Sequence, residues 1–220
     1  MSIIIWLSGF LFLFILFLYM IILPAFGYKL DIDDLDAELQ MINKDSKKFQ
    51  ISIGIALFHN VCVIILTLLL FIVFSPYNVI LGIVWTIFRI GEGLILSYND
   101  LFYRRLLNLA KKYSGSSGAE KTSLSDLAST MTKTKSSRFA FAMIFWSIGT
   151  LAFSIVLVAY GIAPIAGWIG IVSSILVGFG NGIKYVKSKK VLFESIGGLV
   201  ALLFEILVGA WLLIFPPIIL

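Results

Sequence analysis

The sequence predicts an all-α integral membrane protein, a six-transmembrane-helix bundle with amphipathic and linker segments on its cytoplasmic side. Three observations carry that expectation. Hydrophobic residues make up 60% of the 220 residues and charged residues 13%, against about 25% charged in a soluble domain. The mean hydropathy is correspondingly high, at +1.04. The apolar residues gather into six runs, each near the roughly 20 residues a helix needs to cross a bilayer core about 30 Å thick. Finally, 16 of the 17 Lys and Arg residues fall between those runs or at their very ends, and only Arg89 lies in the interior of one. This composition excludes a disordered chain, a nucleic-acid binder and a disulfide scaffold. The lone Cys62 allows no internal disulfide, and its apolar neighbours predict a buried thiol.

The six spans are expected at residues 3–27, 50–75, 77–98, 138–160, 163–184 and 191–215. All five prolines, Pro24, Pro76, Pro164, Pro216 and Pro217, fall at the ends of these runs, where no interior helical hydrogen bond is lost. Ser75-Pro76-Tyr77-Asn78 and Tyr160-Gly161-Ile162-Ala163-Pro164 read as tight turns between neighbouring spans. The first run has no Lys or Arg before Lys29 and is too long for a signal-peptide core, so it reads as a retained first span. Trp6, Trp168 and Trp211 fall where an outer aromatic belt would lie.

Orientation follows from the basic residues. Segment 28–49 carries four of them and 99–138 carries eight. The joint before the last span adds Lys184, Lys187, Lys189 and Lys190. Six alternating helices put all of these on one face, and the positive-inside rule puts that face in the cytoplasm with both termini outside. The expected location is the plasma membrane, with the bilayer as the first partner and anionic headgroups drawn to the basic face.

Among the cytoplasmic segments, 28–49 opens with Asp31, Asp33, Asp34, Asp36 and Glu38. Ile32, Leu35, Leu39 and Ile42 then recur at helical spacing. The acidic face of this short amphipathic helix suits docking on the basic 99–138 segment better than lying on anionic lipid. It lacks the central Gly and the spacing of a calcium loop. Segment 99–137 is expected to prolong the third helix, to break at Gly115-Ser116-Ser117-Gly118, and to continue as a Ser/Thr/Lys-rich linker. Ser123 and Asp126 are spaced there as a capping box.

In the fifth span, Ala166, Gly170, Ser174, Gly178 and Gly182 recur every fourth residue, a small-residue ridge that lets another helix approach closely. Gly197, Gly198 and Ala201 at the start of the sixth span offer an intramolecular partner, and a second copy of the chain is the other possibility.

Ionisable groups inside a membrane are expensive and mark pairs or sites. Counting helical rise from the cytoplasmic ends puts Glu92 about 10 Å deep, His59 about 13 Å, Arg89 about 15 Å and Glu205 about 22 Å. Arg89 and Glu92, three residues apart, share a helix face. The guanidinium is expected to pair with Glu92, Glu205 or both, organising the bundle or holding a ligand or proton. Asn60, Asn181, Tyr98 and Glu194 are secondary candidates, Asn181 and Tyr98 as the lining of an entry path. One His and one Cys exclude bis-His haem and the usual protein-ligated zinc sites, so no metal or other cofactor is expected. No serine elbow, zinc-protease motif or phosphate loop occurs. Catalysis is the least favoured reading.

Three patches resemble a known family. Phe88-Arg89-Ile90-Gly91-Glu92 resembles the Phe-Arg-x-x-Glu signature of the prokaryotic domain-of-unknown-function family 4386. Phe204-Glu205 with Trp211-Leu212 resembles its closing motif, and Pro164 to Gly170 resembles the start of its penultimate helix. Ile165 stands where that family carries a basic residue. The resemblance implies a small polytopic membrane protein without an established activity, and it places Arg89, Glu92 and Glu205 on motif positions. The sequence thus points to a binding, sensory or assembly component built around a buried Arg/Glu cluster. A small proton-coupled carrier using midplane Glu and His is the alternative.

Overall fold

A computed structural model describes residues 2–28, 34–187 and 192–215. The described residues are helical nearly throughout, and six helices are long and apolar enough to cross a membrane. The first is composite. Helix α1 (Ser2–Phe17) passes through a π-helical segment, Leu18–Ile22, into the short α2 (Leu23–Ala25), which carries Pro24 in its first turn. It stops at Gly27, whose φ of 77° suits a residue without Cβ.

Helix α3 (Leu35–Lys44) is started by the Asp34 carboxylate, which accepts from the Ala37 N–H at 3.0 Å. Asp36 and Glu38 in its first turn and Lys44 in its last complement the helix dipole. Leu39 and Ile42 are fully buried beneath α6 and α7, and Ser125 donates to Asp36 at 3.3 Å. The acidic helix therefore lies on the basic segment, as its charge pattern suggests. Asp31, Ile32 and Asp33 lie outside the described residues.

The remaining spans are α4 (Ser46–Phe74), α5 (Val79–Tyr103), α7 (Gly118–Ala159), α8 (Pro164–Lys187) and α9 (Leu192–Ile214). Asp45 and Asn78 cap α4 and α5 by accepting from the Lys48 and Leu81 N–H groups. Short α6 (Leu106–Gly115) follows α5 and ends at the Gly115–Gly118 break.

One expectation needs correction. Residues 118–137 are not a linker, because α7 starts at Gly118 and runs 42 residues, about 63 Å, into the fourth span. Polar composition hid this. The hydroxyls of Thr122, Thr130, Thr132 and Thr134 bond back to carbonyls four residues earlier, so they coexist with the helix. Ser123 and Asp126 thus sit inside a helix and form no capping box; the N-cap is Ser117.

Two hydrophobic cores result. The membrane core joins α1, α4, α5, α7, α8 and α9 through residues such as Leu66, Leu70, Trp85, Phe153, Leu157 and Phe204. The second, at the end bearing the basic connections, joins α3 and α6 to the adjoining ends of α4, α5 and α7 through Leu39, Phe49, Tyr103, Leu106 and Ala128.

A buried Arg/Glu centre and a polar run to the basic end

Arg89 is 4% exposed and donates from Nη1 to Glu92 Oε2 at 2.5 Å. Their i, i+3 spacing on α5 stacks the two side chains on one face. The guanidinium carbon lies 5.3 Å from the Trp85 ring centroid and 5.9 Å from that of Trp146, so two indole rings attend the cation. Each ring is anchored. Trp85 Nε1 donates to the Thr67 carbonyl of α4 at 3.3 Å, and Trp146 Nε1 donates to Glu205 Oε1 of α9 at 3.2 Å. A Cβ on Gly149 would fall 2.9 Å from Arg89 Cγ, so the bare α7 backbone at this residue makes room for the arginine stem. Arg89 Nε is buried without a hydrogen-bond partner among the described residues.

The pairing expected of Arg89 is thus direct with Glu92. Glu205 joins the centre differently, through the Trp146 indole, while also feeling the Arg89 charge. Sequence reasoning missed Trp85 and Trp146. The i−4 position of Trp85 relative to Arg89, one helical turn away, was the available signal.

His59 is partly buried, with Nδ1 3.2 Å from Asn60 Oδ1 and its ring 5.7 Å from that of Tyr19 in the π-helical segment. Asn60 does more than add capacity. Its Nδ2 donates to Asp100 Oδ2 at 3.0 Å, and Tyr28 Oη donates to Asp100 Oδ1 at 2.5 Å. Burial, and then the Asp100 carboxylate, push the Tyr28 hydroxyl well above its ordinary pKa. Lys135 of α7 is 1% exposed, with its ammonium 3.4 Å from the Tyr103 ring centroid and 4.3 Å from that of Tyr28. Asn99 Nδ2 donates to the Lys135 carbonyl at 3.0 Å. Hydrogen-bonding groups therefore continue from His59 through Asn60 and Asp100 to Tyr28.

Asp100, Lys135 and Tyr28 escaped the sequence reading, because charges just beyond a span read as topology signals. A helical stripe was there to find: Asn99, Asp100 and Tyr103 lie about three and four turns beyond Arg89 on the same side of α5.

Other candidates sit elsewhere. Tyr98 is 59% exposed and stacked against the Arg138 guanidinium, and Asn181 is buried with Nδ2 bonded to its own helix at the Val177 carbonyl. Tyr98 thus faces outward, whereas Asn181 keeps its Oδ1 buried without a hydrogen-bond partner among the described residues. Glu194, read as readily solvated, accepts from Lys184 Nζ at 2.6 Å and ties α9 to α8. The small-residue ridge divides. Gly170 approaches Phe204 of α9 and Ser154 of α7, and Gly178 approaches Ser147, but Gly182 faces open space. The closest backbone-to-backbone approach of α8 and α9 uses Gly180, against the Glu194 backbone, and Gly197, against the Val177 backbone; Gly198 has no neighbour among the described residues. Among the described residues no group of three or more His, Cys, Asp or Glu side chains is placed to hold a metal.

A family described as Domain of unknown function (DUF4386) matches residues 7–215. The chain belongs to that family. No curated protein and no solved structure matches it.

Proposed function

We propose that the protein is a membrane-embedded binding, sensory or assembly component whose Arg89–Glu92–Glu205 centre fixes the relative positions of α5, α7 and α9. The carrying observation is the anchored guanidinium: Arg89 pairs with Glu92, lies between Trp85 and Trp146, and reaches Glu205 through the Trp146 indole. The buried, unpartnered Nε supports a binding role, since it can donate to one acceptor on a small ligand. In this reading the basic connections face the cytoplasm, both termini face outward, and the host is the plasma membrane. The test is Glu205→Gln. It weakens the acceptor for Trp146 and removes a charge that Arg89 feels, so the detergent melting temperature should fall; an unchanged melt overturns the three-helix centre.

The second reading, a proton-coupled carrier, is favoured by the hydrogen-bonding run His59–Asn60–Asp100–Tyr28. Vesicles containing the purified protein should then show a flux driven by a pH gradient that His59→Ala or Glu92→Gln changes. Flux indifferent to both substitutions removes this reading.

A further inference from the structure

A groove of about 560 Å³ runs between α7 and α8 and opens sideways, where the lipid would lie. Its floor includes Gly178 and Gly182, the part of the small-residue ridge that α9 leaves uncovered, and its walls include Ile148, Leu151 and Phe179. The two hydroxyls lining it are already satisfied within their own helices, Ser147 by the Met143 carbonyl and Ser174 by the Gly170 carbonyl. The groove therefore offers hydrocarbon contact and asks for no polar ligand along its length. Among the described residues its one charged lining residue is Lys187, at the basic end.

The lining selects the occupant. From Ser174 to Lys187 the groove follows α8 for about 20 Å, long enough to take an extended acyl chain along it. Its apolar walls end at a cation on the basic side, so a hydrocarbon tail with an anionic head matches both ends at once. Lys187 is exposed at the mouth, while the neighbouring Lys184 is already joined to Glu194. We propose that the α7–α8 groove seats one acyl chain of a phospholipid whose anionic headgroup is held by Lys187.

Gly182→Leu and Lys187→Gln separate the two parts of the site. A Cβ at residue 182 meets nothing within 4 Å among the described residues, and the residue lines the groove, so a leucine there projects into the groove space. Lys187 lies on the surface, and its neutralisation leaves the packing intact. The full-length protein, released from vesicles of equal phosphatidylglycerol and phosphatidylcholine, would be examined by native mass spectrometry for retained lipid. Wild type should keep one lipid, with phosphatidylglycerol preferred about fivefold, the ratio one surface lysine supplies. Lys187→Gln should keep the lipid and lose the preference. Gly182→Leu should lose lipid of either kind. Retention of lipid by Gly182→Leu at the wild-type level, or an unchanged headgroup preference in Lys187→Gln, overturns the proposal. So does a lipid-free wild-type dimer that Gly182→Leu converts to monomers, since the occupant would then be a second copy of the chain.

Discussion

Charge neutralisation around Arg89 is not symmetric. A carboxyl group stranded in hydrocarbon can take up a proton and become neutral, whereas a guanidinium effectively cannot lose one. Removing the cation and removing its partner should therefore have different consequences. Glu92→Gln leaves Arg89 with a weakened acceptor at the 2.5 Å contact and only the more distant Glu205 charge, which already serves Trp146. The expected loss is about 3–5 kcal/mol, the range for a buried pair deprived of one partner. Arg89→Met keeps much of the side-chain volume against Gly149 and the two tryptophans and should be milder. The double variant Arg89→Met/Glu92→Gln should be more stable than Glu92→Gln alone. Denaturation in mixed micelles gives this order directly, and equal losses for the two single variants would show that the pair contributes packing rather than charge balance.

Two glycines of α8 lie two residues apart and should respond with opposite signs. A Cβ on Gly180 would fall 2.5 Å from the Glu194 nitrogen and 2.8 Å from its Cα, both of which are backbone atoms unable to move aside alone. Gly180→Ala should push α9 from α8, stretch the Lys184–Glu194 contact and cost about 1–3 kcal/mol. Gly182→Ala meets open space and removes a poor helix former, so it should be neutral or stabilising by up to about 1 kcal/mol. Matched melting curves check both, and a destabilising Gly182→Ala would mean that this face is covered. The every-fourth-residue pattern makes the ridge legible in the sequence. Its division is not, because pattern alone does not show where α9 stops covering α8, and Gly180 lies off the pattern altogether. The same limit applies to Glu194: its position near a span end suggests easy solvation, and only the fold brings Lys184 to it.

At the scale of the molecule, hydropathy alone reveals six spans because backbone groups in lipid must be satisfied within each helix. Arg89 and Glu92 are legible for the same reason, since charges inside such runs demand partners. The second core is much less so. Its helix α7 is prolonged through a Ser/Thr/Lys-rich segment whose composition resembles a linker, and its polar anchor joins Tyr28, Asn60 and Asp100 from three separate segments. The two cores are joined chiefly by α4, α5 and α7 running through both, so they need not melt together. Leu106 is fully buried in the second core and absent from the first. Leu106→Ala should cost about 2–5 kcal/mol locally. Hydrogen exchange should therefore quicken at amides of α3 and α6, where Leu39, Ile42, Leu109 and Ala110 pack beneath it, while protection of α4 between Cys62 and Val73 stays near the wild-type level. Uniform loss of protection across both regions would instead identify one cooperative unit, with the basic-end helices folded as part of the membrane bundle rather than upon it.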